Sequence, residues 1–337
     1  MLKLGQAPWI FMLLSGLFVG CSGKKYFQPD ETHTASMRSY GEVIVGLSRD
    51  GATLKSGRYI GKSGLQSISL GEGYRFLSEN KKYILASNTE GVLNIIDKKK
   101  KASMRAVALR VPVVAASIHN GMVAYILNNN TFGLYEIGDN KKIMESRSER
   151  TFAIDTRAAS PLFVENIAVM PMLDGKLIIT DSLDTENSKV VYLSSKRTFN
   201  NVIFLRRISN TLVAATSQMI IALGVDGKQE YAANISEVTI GGKTIYVFTK
   251  EGEVIALNTS LQPIANAKFE FAHFAVATAF DNKVYVLDQK GSLIVLSSDL
   301  KKKRIYDLGS LSKPAFISNK KLYKDGKIIN LAKLGYK

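Results

Sequence analysis

A short apolar run, a polar turn and a second apolar run recur seven times along this chain. Typical copies are Tyr83-Ile84-Leu85-Ala86 / Asn88-Thr89-Glu90-Gly91 / Val92-Leu93-Asn94-Ile95-Ile96 and Val284-Tyr285-Val286-Leu287 / Gln289-Lys290-Gly291 / Ser292-Leu293-Ile294-Val295-Leu296. The turns centre near 91, 132, 175, 217, 252, 291 and 326, so the period is about 40 residues. Runs of four to six β-branched and aromatic residues around a glycine turn read as β-hairpins. No stretch of similar strength has helical spacing. A period near 40 with four short strands per unit is the signature of a β-propeller blade. A sandwich or a solenoid of hairpins is the competing architecture. The apolar runs are continuous rather than alternating, which suits strands covered on both faces by neighbouring blades.

The ends of the repeat bear on ring closure. Only Asn330 to Lys337 follow the last hairpin, so its blade lacks an outer strand, and a ring has to hide its unpaired edges. The expectation is an all-β propeller closed by an N-terminal strand, with Glu42 to Gly46 completing the blade of Lys324-Asp325-Gly326. The hairpin count gives seven blades. It becomes eight if Glu42 to Ile60, with its Arg49-Asp50-Gly51 turn, forms a hairpin of its own.

The N-terminus has a different character. Lys3, the apolar stretch Trp9 to Leu14 and the small residues before Cys21 form a secretory signal. Phe18-Val19-Gly20-Cys21 resembles a bacterial lipobox, in which cleavage precedes a diacylated, palmitate-bearing cysteine. Phe18 replaces the usual leucine. Cys21 is the sole cysteine, so no disulfide partner exists for it. The domain reading is therefore 1–20 signal peptide, 21–40 lipid-anchored polar tether and 41–337 propeller. Ser22, rather than aspartate, follows the cysteine. By resemblance to lipoprotein sorting this directs the chain to the outer membrane, on its periplasmic face.

The formal net charge is +16. Such an excess favours acidic partners or anionic surfaces. Export argues against nucleic acid. The lysines are not scattered evenly. Lys98, Lys99, Lys100 and Lys101, then Lys141 and Lys142, then Lys301, Lys302, Lys303 and Arg304 each follow the second strand of a hairpin. Gly227-Lys228 occupies the same place. Equivalent turns of a propeller lie on one face, so these residues are candidates for one basic docking face, with the glycine turns opposite. Lysine is also common in ordinary solvated turns.

The pieces Glu251-Gly252-Glu253-Val254-Ile255-Ala256-Leu257-Asn258 and Lys290-Gly291-Ser292-Leu293-Ile294-Val295-Leu296 resemble the PQQ-like (quinoprotein-type) propeller repeat family. A lipid-anchored member is similar to the BamB-like lipoproteins, and that resemblance implies help in assembling outer-membrane β-barrels. The Thr-Gly-Lys segment and aromatic that close the family's repeats are absent or degraded here. Quinone enzymes of this fold carry tryptophan docking motifs in their blades. Here the only tryptophan is Trp9, in the leader, so no cofactor is expected. His33, His119 and His273 are isolated, without partners at metal-ligand spacing. No Gly-x-Ser-x-Gly elbow occurs, and Gly71-Glu72-Gly73 reads as a turn. The expectation is a non-enzymatic scaffold that binds envelope proteins, including the β-barrel assembly machinery. Left open are a structural role in another envelope complex, for secretion or motility, and a periplasmic hydrolase or lyase.

Overall fold

The computed structural model describes residues 25–151, 157–194 and 199–336. Within them the chain forms eight four-stranded antiparallel sheets, the larger of the two expected blade counts. Strands are lettered A to D from the axis outward. Blade 1 comprises Ile44–Leu47, Ala52–Leu54, Tyr59–Gly61 and Gly64–Gln66. Blade 2 is Arg75–Glu79, Tyr83–Ser87, Val92–Asp97 and Ala102–Ala108; blade 3 is Val113–His119, Met122–Leu127, Thr131–Glu136 and Lys141–Arg147. Blade 4 is Leu162–Val164, Ile167–Pro171, Lys176–Asp181 and Lys189–Tyr192; blade 5 is Phe204–Ile208, Thr211–Ala215, Met219–Gly224 and Gly227–Ala232. Blade 6 is Ile235–Gly241, Thr244–Thr249, Glu253–Leu257 and Pro263–Lys268; blade 7 is Phe274–Phe280, Lys283–Asp288, Ser292–Ser297 and Lys303–Asp307. Blade 8 has Phe316–Ser318, Lys321–Lys324 and Lys327–Asn330 as A to C. The seven hairpins of the repeat are strands B and C of blades 2 to 8.

Strand D of blade 8 comes from the other end of the chain. Met37–Ser39 pairs antiparallel with Lys327–Asn330, with Arg38 opposite Ile328. Closure by an N-terminal strand therefore holds, but its residues differ from those expected. Glu42 to Gly46 instead leads into strand A of blade 1, pairing with Ala52–Leu54. The described part of the 21–40 tether, residues 25–40, is held to the ring. Phe27 sits edge-on to Phe269 and donates its N–H to the Phe271 carbonyl. His33 lies parallel to the edge of blade 7, donating to Ile305 and accepting from Asp307. Cys21 and the leader lie outside the described residues.

There is no central core. Apolar side chains bury themselves between blades, in eight clusters for eight interfaces. Leu85, Leu93, Val123 and Tyr125 join blades 2 and 3, and Val286, Ile294, Phe248 and Val254 join blades 6 and 7. The closing interface, between blades 8 and 1, is held by Tyr323, Ile44, Leu54 and Ile60. Burial of a side chain of this size contributes about 1.5–3 kcal/mol. Tyr40 packs edge-on to Tyr323 at this seam, and burial pushes its hydroxyl up to about 12.

A single hydrogen bond explains the glycine turns. In every blade a residue that follows strand D, directly in all but blade 1, donates its N–H to a carbonyl in the B–C turn. The pairs are Leu70 to Gly57, Leu109 to Gly91, Ser148 to Asn130, Leu193 to Gly175, Ala233 to Gln218, Phe269 to Gly252, Leu308 to Gly291 and Tyr40 to Gly326. The chain leaving strand D thus lies directly on the turn. At Gly252 (φ +78°) a Cβ would collide with the Phe269 carbonyl, and at Gly291 (φ +96°) with the Gly309 carbonyl. Asn130 adopts the same left-handed backbone in blade 3, and its side chain accepts from Leu173 and donates to the Glu149 carbonyl.

Two outcomes are expected. A chain starting at Ala35 should lose only the Phe27 and His33 contacts and keep the sharp transition of one starting at Lys25 at a slightly lower temperature, whereas a chain starting at Tyr40 should melt several degrees lower again and over a broader range, because an edge and the blade 8–blade 1 seam open. Equal melting of all three, followed by circular dichroism, would exclude closure by Met37–Ser39. Gly252→Ala and Gly291→Ala should each lower unfolding free energy by about 2 kcal/mol or more. Gly138→Ala, with no neighbour within 4 Å, should change it little in the same denaturant titration.

Candidate functional site

Antiparallel order places the A–B and C–D turns of each sheet at one end and the B–C turns at the other. The ring converts these ends into two faces. A second recurring bond marks the first of them: the residue after strand C donates to the A–B turn, as Lys98 to Lys82, Ile137 to Gly121, Ser182 to Asn166 and Ser298 to Asn282. All ten lysine and arginine candidates lie in C–D turns or at the start of strand D, hence at this end. Lys98 to Lys101 belong to blade 2, Lys141 and Lys142 to blade 3, and Lys301 to Arg304 to blade 7.

They are not equivalent. The Lys98 ammonium lies 2.5 Å from the buried carboxylate of Glu79. Glu79 also accepts from the Lys62 N–H at 2.7 Å and the Tyr59 hydroxyl at 3.1 Å. Lys98 therefore compensates a buried charge and is part of the blade 1–blade 2 joint. Lys142 is spent on Glu145 at 2.7 Å. Lys303 lies over the Phe269 ring, and Arg304 is half-buried. Lys99, Lys100, Lys101, Lys141, Lys301 and Lys302 are exposed, and among the described residues they have no carboxylate partner.

The turns that present them are held by aspartates. The Asp97 carboxylate accepts from the N–H groups of Lys99 and Lys100 at 2.8 and 2.9 Å. The Lys100 N–H is the main reason its carboxyl titrates below the usual range. Asp299 plays the same part in blade 7, accepting from the Ser297 hydroxyl and the Lys301 N–H, and it too is lowered. The acid fixes a turn whose following side chains then project as cations.

Other lysines share this face and were not among the candidates. Lys62 is in the C–D turn of blade 1. Lys81 and Lys82, Lys243 and Lys320 are in A–B turns, and all are exposed. The signal that finds them is the alternation of an antiparallel meander, which puts A–B and C–D turns at the same end. Together the cations form an arc over blades 6, 7, 8, 1, 2 and 3. The arc stops at blade 4, whose C–D loop carries Asp184, Glu186 and the exposed Leu183.

The chain leaves the ring from the other face. Lys25 sits over the ring of Phe271, in the link from blade 6 to blade 7, and Lys290 of the blade 7 B–C turn lies 3.8 Å from the centre of the Tyr26 ring. The histidines are built into the scaffold. His119 stacks on Phe163 and the His273 N–H donates to Asp288. Among the described residues no group of three or more histidine, cysteine, aspartate or glutamate residues could hold a metal ion, and no helix is long and apolar enough to cross a membrane.

The chain matches no family model. Two curated relatives are similar along nearly all of it. Both are plasminogen-binding proteins PgbB of Helicobacter pylori. That of strain J99 is 25% identical over 369 residues, covering 94% of this chain and 68% of the relative. That of strain 26695 is 24% identical, covering 94% and 67%. Among solved structures, BamB from Moraxella catarrhalis superposes with a TM-score of 0.67 at 14% identity, over 88% of this chain and 98% of that one. The C-terminal WD40 domain of Sif2 gives 0.64 at 11%, over 88% and 98%, and the computationally designed Ika8 protein gives 0.60 at 12%, over 89% and 96%. At these identities the structural likeness shows the β-propeller fold alone.

Lysines that face solvent and a lysine that neutralises a buried acid should respond differently to charge reversal. Lys98→Glu sets a second carboxylate beside Glu79 and should cost about 3 kcal/mol. Lys100→Glu and Lys302→Glu should leave the melting temperature essentially unchanged. Thermal melts of the three variants at one pH check this.

Proposed function

We propose that this chain is a non-enzymatic, lipid-anchored scaffold of the cell envelope that docks acidic protein surfaces on its lysine-turn face. The observation that carries the reading is the opposition of two features. The exposed lysines gather at the A–B/C–D end, while the chain runs toward Cys21 from the B–C end. Four Cα-to-Cα steps separate Lys25 from Cys21. At full extension they reach about 14 Å, so a lipid on Cys21 holds the glycine-turn face toward the bilayer. The lysine arc then points away from the anchoring membrane, and its partner is a protein rather than that membrane. Complementary charge across a docking face sets orientation and association rate, and its attraction weakens with salt.

The finer reading follows the resemblance to BamB-like lipoproteins: the scaffold sits at the outer membrane, on its periplasmic face, and assists assembly of outer-membrane β-barrels. Its likeness in fold to BamB and the eight-bladed ring support this. A second reading has its own support. The relatives that match this chain bind plasminogen by name, which favours capture of plasminogen through the same exposed lysines.

Photo-crosslinking in intact cells tests the proposal. A photoreactive residue at Lys100 or Lys302 should yield discrete adducts. One at Glu90, in a glycine-side turn of blade 2, should yield fewer. Reversal of Lys99, Lys100, Lys101, Lys301 and Lys302 to Glu should abolish those adducts. Adducts to β-barrel assembly proteins favour the first reading. Salt-sensitive binding of purified plasminogen, lost in the reversed variant, favours the second. Cys21→Ser should move the protein to the soluble fraction. Adducts only from Glu90, unchanged by charge reversal, would overturn the docking assignment.

A further inference from the structure

The central channel carries a separate chemistry. A cavity of about 670 Å³ runs along the axis, lined by strand A of blades 1, 2, 5, 6, 7 and 8. Five arginines reach it: Arg49, Arg75, Arg157, Arg206 and Arg207. Among the described lining residues Glu237 is the only acid. Between the arginines lie Phe204, Val238, Ile240, Val276, Phe316 and Ile317. A second cavity of about 570 Å³ shares Leu47, Arg157, Ala275, Pro314 and Ala315 with the first. It adds Lys250, Gln289 and His273, from the B–C turns and the link into blade 7, so the channel opens on the glycine-turn face.

Arg49 and Arg206 are engaged in an informative way. The A–B turn of blade 1 reaches over the channel. Arg49 forks onto Glu237 of blade 6, at 2.5 and 3.1 Å, and Asp50 pairs with Arg206 of blade 5 at 2.9 Å. These ion pairs strap the channel from blade 1 across to blades 5 and 6. They also show that the arginines here recognise carboxylates: the bidentate fork is the geometry that guanidinium and carboxylate share. Arg75 has no carboxylate partner among the described residues, and its aliphatic stem passes beside Gly46. Arg207 is held by the Ser209 carbonyl and Asn210, both uncharged partners. The channel therefore has cationic capacity beyond its own acids.

Its walls also suit a main chain. Each strand A is an end member of its sheet, so its axial edge is unpaired. Register shifts interrupt strand A of blades 1, 2, 3, 6 and 7, and that of blade 6 falls between Ile235 and Glu237. An extended peptide can satisfy such edges with its own N–H and C=O groups. A small inorganic anion would use the arginines but neither the edges nor the apolar wall.

We infer that the channel binds an extended acidic peptide bearing aliphatic side chains, which enters from the glycine-turn face and places its carboxylates on Arg75 and Arg207. This site is distinct from the lysine arc and does not depend on it.

The test uses the full mature chain and a fluorescein-labelled hexapeptide of alternating glutamate and valine, followed by fluorescence anisotropy at low ionic strength. The peptide should bind, and its lysine–valine counterpart should not. Arg75→Ala with Arg207→Ala should weaken binding roughly tenfold or more, as loss of charge-assisted hydrogen bonds implies. Arg75→Ala alone, at a residue with no ion pair to lose, should weaken it with an unchanged melting temperature. That variant keeps the test valid should the double variant misfold. Reversal of Lys99, Lys100 and Lys101 to Glu should leave binding intact, which separates this site from the docking face. Inorganic phosphate and glutarate serve as competitors at matched ionic strength. No peptide binding, equal binding by the Arg75 variant, or displacement of the peptide by phosphate as readily as by unlabelled peptide would each overturn the inference.

Discussion

Everything in this ring depends on how the eighth blade obtains its fourth strand. The bond from the Tyr40 N–H to the Gly326 carbonyl is the same bond that joins strand D to the B–C turn in the other seven blades. It is the one copy whose two halves come from opposite ends of the chain. A single backbone hydrogen bond contributes only about 1 kcal/mol net. Its importance is topological. The apolar clusters lie between blades, so each blade is stable only while both neighbours are present. Opening one seam exposes Ile44, Leu54, Ile60 and Tyr323 together. A short, exposed strand therefore governs burial far larger than its own, which is why this three-residue pairing sets the cooperativity of the whole.

The repeat was legible because strands B and C are covered on both faces, and such strands read as unbroken apolar runs. Val284 to Leu287 and Leu293 to Leu296 are buried without exception. The same logic explains what was illegible. Met37–Ser39 is exposed along its length, so pairing with Lys327–Asn330 demands backbone and not hydrophobicity. Nothing in Met-Arg-Ser marks a strand, and the segment passed as tether. Blade 1 escaped a firm count for a related reason. Its strands B to D are three residues each, too short to show a period. Phe27 and His33 are single anchoring residues in polar surroundings, and a pattern of one has no periodicity to detect.

Site residues divide along similar lines. Lysines that follow strand C could be grouped because the repeat assigns each a common place. The separate duty of Lys98 could not, since Glu79 lies 19 positions away and becomes its partner only when strands A and C align at one end of the blade. The channel arginines are harder still. Arg49, Arg75 and Arg206 sit in different blades with no shared motif. Their convergence is a property of the ring, and only the ion pairs of Arg49 with Glu237 and of Asp50 with Arg206 reveal it.

The two cationic regions also use different cations, and the difference is physical. The outer face is lysine, a compact and strongly hydrated charge on a flexible stem, which stays in water until a partner arrives. The channel is arginine, whose weakly hydrated planar fork tolerates partial burial beside Phe204 and forms paired bonds to carboxylates. Lysines in the channel would lose more hydration and gain less geometry. Arginines on the face would bring stacking and specificity to a surface that needs long-range attraction. The division follows from the solvent each charge sees. The lysine face is thus suited to a salt-sensitive, long-range attraction and the channel to directional recognition of acids, with the ion pairs of the blade 1 turn crossing the channel.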